Sequence, residues 1–185
     1  MKERLLISAL ITLILGISTT STILAQTIKN AEITFKIKNA GLTVNGSLGD
    51  FDGKINFNPS SLQKSKIEAS VDVSTIDTGI KMRDKHLKKE DYFDAEKFPK
   101  INMESVSFSS KNNNAFEGKF KLTIKGHTEE IDLPFTLKSD GENSTFEGTF
   151  EIDRRDYGVG GNSFLLSDDV KVFIKVSTEG TQMIK

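Results

Sequence analysis

The sequence contains no cysteine and no tryptophan, and only three prolines among its 185 residues. Without cysteine, the chain has no disulfide, no thiolate metal site and no cysteine nucleophile. The net charge of −1 gives no general attraction for nucleic acid, so we predict no nucleic-acid partner. With 28% charged residues and 14 glycines, the composition excludes collagen-like and disordered classes, and the length fits one domain.

The first 25 residues have the pattern of a secretory signal peptide. Lys2 and Arg4 precede an apolar run over residues 5–17, and the small residue Ala25 follows a polar stretch. The apolar run is shorter than the roughly 20 residues that a membrane span needs. We predict cleavage after Ala25, a mature single domain over residues 26–185 without a stable membrane span, and a periplasmic or secreted location.

Apolar and polar residues alternate along most of the remaining chain. Residues 33–38 read Ile-Thr-Phe-Lys-Ile-Lys, a period-two pattern that is typical of a half-buried strand. The pattern recurs in seven further segments: 42–57, 67–73, 101–108, 116–124, 131–137, 146–152 and 170–176. The apolar parity switches at Gly49-Asp50, and again between Met103 and Val106, so that Val106 and Phe108 share the inward parity. Each switch predicts a bulge or bend. Closure removes exposed edges, so we predict an all-β, eight-stranded antiparallel β-barrel.

Glycines on the apolar parity of these strands bear on whether the barrel is hollow. Four positions are concerned: Gly46, Gly53, Gly118 and Gly148. An eight-stranded barrel is either just filled by side chains or holds one small ligand. The glycines either leave volume for a ligand or permit strong bending of the strands, and the sequence leaves both readings open.

Residues 74–99 interrupt the strand pattern between the third and fourth strands. The spacing of Ile76, Ile80 and Leu87 predicts a short helix from Gly79 to Lys89. A second turn over residues 92–97 would end at a proline. The segment is a lid or an anion-tolerant mouth, or it is a solvated helix whose charges largely cancel.

Three ordered motifs resemble the YceI-like family of lipid- or polyisoprenoid-binding proteins. The motifs are Arg83-Asp84-Lys85-His86-Leu87 with residues 91–101, the paired segments 122–126 and 131–135, and Arg154-Arg155-Asp156-Tyr157-Gly158. The resemblance spans about residues 27–178. It implies an extended lipocalin-like β-barrel whose apolar tunnel holds the tail of an isoprenoid or similar long-chain lipid. Members of that family are typically exported bacterial proteins, and some are linked to stress responses.

With this resemblance, the inward parity gives candidate lipid-binding residues: Phe35, Val44, Phe57, Val71, Phe120, Leu122, Phe146, Phe150 and Val172. Each of them is alternatively an ordinary core residue. Candidates for a polar mouth or lid are Arg83, Asp84, His86 and Arg154. Arg83 and Asp84 have a second interpretation, in which they pin the insert to the barrel.

Catalytic and metal-binding signatures are missing from the sequence. Neither His86 nor His127 has a second histidine at ligand spacing, and no P-loop or nucleophile elbow is present. We therefore predict that the protein is not an enzyme and holds no metal. We also predict no cofactor, apart from a bound isoprenoid or other long-chain lipid. The predicted function is an exported protein that holds such a hydrophobic ligand for transport, storage or protection. The alternative is an interaction or stress-response module with a filled barrel, and a lipid hydrolase is the third hypothesis. The sequence leaves open whether the protein forms a homodimer.

Overall fold

The alternating segments form eight strands in a computed structural model that describes residues 26–141 and 143–180. The strands are β1 (Thr27–Asn39), β2 (Leu42–Asn56), β3 (Lys66–Asp77), β4 (Lys100–Ser110), β5 (Ala115–Ile124), β6 (His127–Ser139), β7 (Asn143–Asp153) and β8 (Leu166–Glu179). Each strand pairs with the next in antiparallel fashion, and β8 pairs with β1 to close the barrel. The predicted fold class is confirmed. The predicted signal peptide lies outside the described residues.

Connections between strands alternate between the two ends of the barrel. The β1–β2, β3–β4, β5–β6 and β7–β8 connections lie at one end, here called the upper end. The β2–β3 connection, with a 3₁₀ turn over Leu62–Lys64, lies at the opposite or lower end. Both long connections, residues 78–99 and 154–165, therefore meet at the upper end. No helix among the described residues has the length and apolarity that a membrane crossing requires.

Two bulges re-aim the strands where the sequence switches parity. In β2 the register against β3 shifts on both sides of Gly49, and Asp50 has a φ of +49°. In β4 the register shifts between Ser105 and Ser107. Val106, which the parity pattern placed with the inward residues, is the extra residue there and is 49% exposed. The bulge returns Phe108 to the interior, where it packs against the core.

The predicted helix is present but shorter than the spacing indicated. Helix α1 covers Lys81–Leu87, rather than Gly79 to Lys89. Gly79 has a φ of +81°, which a helix does not allow, so the helix begins after it. Beyond Leu87 the chain folds into hydrogen-bonded turns, including one from Phe98 N–H to the Asp94 carbonyl at 2.8 Å, before Pro99.

Candidate functional site

The upper half of the barrel encloses a cavity of about 560 Å³. Its wall is formed by inward side chains of the strands, with the insert and the β7–β8 loop above them. The inward residues of β1, such as Ile33 and Ile37, are only half-buried, although their alternation with exposed residues is regular. Their accessible surface faces the cavity. The residues on the inward parity of β1 therefore line a hollow instead of a packed core.

The nine candidate lipid-binding residues divide between the two halves of the barrel. Six of them line the cavity: Phe35, Val44, Val71, Leu122, Phe150 and Val172. The other three, Phe57, Phe120 and Phe146, do not line it. Phe120 and Phe146 border a separate void of about 50 Å³ lower in the barrel. Parity gives the direction of a side chain, but not its height along the barrel axis.

The lower half of the barrel is packed with phenylalanine. Phe57 is 1% exposed and lies at the centre of this packing. Its ring makes edge contacts at centroid separations of 5.1–5.7 Å with four others, Phe108, Phe116, Phe135 and Phe146. Between this cluster and the cavity lie four side chains that line both voids: Phe51, Ala69, Met103 and Ile174. The cavity is therefore closed from below.

The inward glycines make room for protein side chains. A Cβ on Gly46 would coincide with the ring of Phe35, and one on Gly118 would coincide with the ring of Phe120. At Gly53 a Cβ would lie 2.9 Å from the Glu68 carbonyl oxygen. At Gly148 it would lie 2.9 Å from a leucine methyl and 3.1 Å from a backbone carbonyl. The space at these positions is thus occupied by the protein, and does not add to the ligand volume.

Arg83 and Asp84 both bond Thr78, the first residue of the insert after β3. The Thr78 N–H donates to Asp84 Oδ1 at 2.8 Å, and the Thr78 hydroxyl donates to the same oxygen. Arg83 donates from Nε to the Thr78 hydroxyl at 2.7 Å and from Nη2 to the Thr78 carbonyl at 2.8 Å. These contacts lie within the insert, so the pinning of the insert to the barrel stays a prediction. Arg83 also lines the cavity and keeps guanidinium N–H groups that bond no described residue.

His86 lies at the cavity wall and bonds within the insert. Its Nε2 is 2.9 Å from Asp91 Oδ2, and its ring packs edge-on against Tyr92 with centroids 5.0 Å apart. The hydrogen bond with His86 is the main reason that the pKa of Asp91 lies below its ordinary value. Arg83 thus places a cationic group in the upper wall of the cavity.

Arg154 is 3% exposed and organises the β7–β8 loop. Its guanidinium donates five hydrogen bonds of 2.7–3.3 Å: to the carbonyls of Val159, Gly161, Leu166 and Ser167, and to Asp168 Oδ1. Arginine has five N–H donors, so none is left over for a ligand. Arg154 borders the cavity, as the mouth prediction required, but its donors hold the loop.

The insert and the β7–β8 loop close on each other above the cavity. The Gly160 N–H donates to the Asp91 carbonyl at 2.9 Å. The Tyr92 ring occupies the place where a side chain on Gly160 would stand. The exposed apolar residues that line the cavity, Ile80 and Met82, lie at the start of the insert. We place the mouth there, next to the β1–β2 hairpin.

Several lining residues were not among the sequence candidates. Phe51 lies within β2, just after the parity switch, and faces the cavity. Tyr157 is 1% exposed at the cavity wall, and burial raises the pKa of its phenol to about 12. Ile33 and Ile174 shared the inward parity and could have been included. Among residues 26–141 and 143–180, no three His, Asp or Glu side chains are grouped to hold a metal ion.

A closed eight-stranded barrel with an apolar cavity in its upper half is the architecture of lipocalin-like binding barrels. The chain belongs to the YceI-like domain family, which it matches over residues 26–178. The resemblance seen in the insert and the Arg154 segment is thereby confirmed.

Relatives and solved structures support the assignment. A UPF0312 protein of Pseudomonas fluorescens is 32% identical over 143 residues, which cover 70% of this chain and 72% of the relative. One of Vibrio cholerae is 28% identical over 137 residues with the same coverage. The crystal structure of Burkholderia cenocepacia BcnA superposes with a TM-score of 0.75 at 25% identity, over 80% of this chain and 95% of that one. A polyisoprenoid-binding domain from Saccharophagus degradans shares the fold, with a TM-score of 0.68 at 12% identity over 85% and 98% of the two chains.

Proposed function

We propose that the protein binds the tail of an isoprenoid or related long-chain lipid in its upper cavity. The observation that carries this proposal is the apolar hollow of about 560 Å³, closed below and open beside the insert. The volume lies within the range of about 300–1,000 Å³ that small-molecule sites have. The solved domain from Saccharophagus degradans that shares this fold is described as polyisoprenoid-binding, which agrees with the proposal.

The closed floor limits the length of tail that the barrel can enclose. At about 30 Å³ per water-sized group, the cavity has room for about 19 such groups, close to the carbon count of four isoprene units. Each buried methylene contributes about 0.8 kcal/mol, so ten of them give about 8 kcal/mol before association costs. We expect tight binding with little discrimination between tails that fit, and incomplete enclosure of longer ones.

Arg83 is the side chain best placed to meet the polar end of the ligand. A tail that enters a blind cavity leaves its head group at the mouth, where Arg83 lines the wall with unused N–H donors. Arg154 is fully engaged by the β7–β8 loop, and His86 already bonds Asp91. Guanidinium groups suit hydroxyl and phosphate oxygens, so we expect an oxygen-bearing head group.

Binding without catalysis is part of the proposal, and so is export. Burial of alkyl surface explains uptake without a nucleophile or a general base. The basic and apolar pattern of residues 2–25 is the reason to propose a periplasmic or secreted location. The filled-barrel alternative has support only in the lower half, where the phenylalanine cluster lies.

Native mass spectrometry of the purified protein with geraniol, geranylgeraniol and dolichol tests this function. We expect one geranylgeraniol per chain, weaker geraniol binding because less surface is buried, and partial exposure of dolichol to solvent. Val172→Trp places an indole in the cavity and should weaken the uptake of geranylgeraniol. Phe173→Trp is the matched control, because Phe173 is the adjacent residue on the opposite face of β8. Absence of binding by all three prenols, or equal binding by both variants, would refute the proposal.

A further inference from the structure

Exposed large apolar side chains are concentrated at the upper end of the barrel. Five of the six found among the described residues lie there: Leu42, Ile80, Met82, Phe164 and Leu165. We call these five the apolar rim. Met82 is 85% exposed and Phe164 is fully exposed, so neither contributes to the core. The sixth, Val106, lies at the bulge of β4 in the barrel wall.

The apolar rim borders the mouth of the cavity. Ile80 and Met82 line the cavity while they are exposed to solvent. On the β1 side, the Ala40 N–H donates to the Leu165 carbonyl at 2.7 Å, which ties the β1–β2 hairpin to the β7–β8 loop. Leu42 follows that hairpin turn directly, and Leu166, the residue after Leu165, lines the cavity. An apolar surface is therefore continuous from the outside of the protein into the hollow.

Cationic side chains accompany the rim on the insert. Lys81, Lys85, Lys88 and Lys89 form no ion pair with any residue that the structure describes. With Arg83, they outnumber the acidic residues of segment 81–91 by five to three, giving it a net charge of +2. The chain as a whole is at −1. Segment 81–91, which includes the rim residue Met82, thus has a net charge opposite in sign to that of the whole protein.

An apolar patch with adjacent lysines matches the two components of an anionic lipid surface. Exposed apolar side chains enter the boundary between head groups and acyl chains, and lysines interact with acidic head groups. We propose that the apolar rim docks on a bilayer that contains anionic lipids, with the mouth of the cavity towards the membrane. This inference rests on the proposed function, because the docked orientation gives a lipid tail an apolar path between bilayer and cavity.

The absence of tryptophan from the chain provides a direct test. Phe164→Trp places a single tryptophan in the rim, and Val106→Trp places one at the exposed apolar position away from it. Vesicles of phosphatidylcholine, alone or mixed with phosphatidylglycerol, are added to each protein. We expect a blue shift and co-sedimentation for Phe164→Trp with the mixed vesicles, weakened by salt. The emission of Val106→Trp should remain that of a solvent-exposed indole.

Loss variants measure the contribution of the rim. The double change Phe164→Ser with Leu165→Ser should lower vesicle partitioning about tenfold or more, and Val106→Ser should leave it unchanged. Equal partitioning of the unchanged protein and of both variants would overturn the proposal. A blue shift that grows with protein concentration in the absence of vesicles would also overturn it, because the rim would then cover a second copy of the chain.

Uptake of detergent-solubilised geranylgeraniol, measured without vesicles, separates this proposal from the proposed function. Uptake that persists while vesicle binding fails overturns membrane docking alone. Vesicle binding without any prenol uptake overturns the lipid-binding function, and with it the reason for docking.

Discussion

Replacement of Phe57 by alanine tests whether the barrel is divided into a packed half and a hollow half. Phe57 is 1% exposed and makes edge contacts with four other rings in the lower cluster. It does not line the cavity. We expect Phe57→Ala to reduce the stability of the protein and to leave prenol uptake by the folded protein unchanged.

The expected magnitude follows from the burial of the ring. Removal of a buried phenylalanine side chain costs about 3–5 kcal/mol, because transfer energy and the vacated volume both count. At about 2–4 °C per kcal/mol for a chain of this size, the Tm should fall by about 6–20 °C. Phe173→Ala is the control. The Phe173 ring lies 5.2 Å from Lys36 Nζ and 5.9 Å from Lys171 Nζ, so its loss should cost only about 0.5–1.5 kcal/mol.

Urea denaturation, thermal melting and native mass spectrometry together decide the matter. Similar stability losses for Phe57→Ala and Phe173→Ala would refute the assignment of the lower half as packed core. A Phe57→Ala protein that stays folded but no longer takes up geranylgeraniol would refute the separation of the two halves. Val172→Trp should behave in the opposite way, with geranylgeraniol uptake weakened and the melting temperature nearly unchanged, because its indole enters empty space.

Further changes probe the glycines, the loop and the insert. Gly46→Ala should push a ring that borders the cavity inwards, so that geranylgeraniol affinity falls and the free energy of unfolding in urea drops by about 1–3 kcal/mol, as overpacking does. Unaltered affinity would contradict the packing seen there. Arg154→Lys should lower the free energy of unfolding, measured in urea, by about 3–5 kcal/mol, because buried carbonyls lose their donors. Arg155→Lys changes an exposed side chain and should leave this free energy nearly unchanged. His86→Ala should raise the pKa of Asp91 towards its ordinary value in a carboxyl NMR titration. Because the folded pKa of Asp91 is depressed, its contribution to stability is present above the unfolded value of about 3.9 and is lost as the pH falls through the folded pKa.

Period-two alternation was sufficient to predict the barrel, because it shows which side chains of a strand point inwards and which point outwards. The parity switches at Gly49 and within β4 marked both bulges correctly. Val106 was misplaced, since a bulge adds a residue without showing in the pattern which neighbour turns outwards.

The site was less accessible to sequence reasoning than the fold. Phe57 and Phe150 share the inward direction, yet one packs the lower cluster and the other lines the cavity. The difference is their height in the barrel, which depends on the stagger of the strands. Arg154 looked like a ligand-binding cation, and only the folded loop brings five acceptors to it. Apolar spacing likewise predicted a helix from Gly79, but the left-handed conformation of Gly79 makes the observed helix begin later.

The acceptors of Arg154 have an evolutionary consequence. Four of the five are main-chain carbonyls, which every residue type supplies, and only Asp168 contributes a side chain. Exposed residues of the β7–β8 loop can therefore be exchanged without removing the bonds from Arg154 that shape it. The rim residues Phe164 and Leu165 lie within that stretch, so selection can alter what the mouth touches while the barrel beneath it stays the same. Because Arg154 holds the loop through main-chain carbonyls, the rim residues can change in sequence while the fold of the barrel is kept.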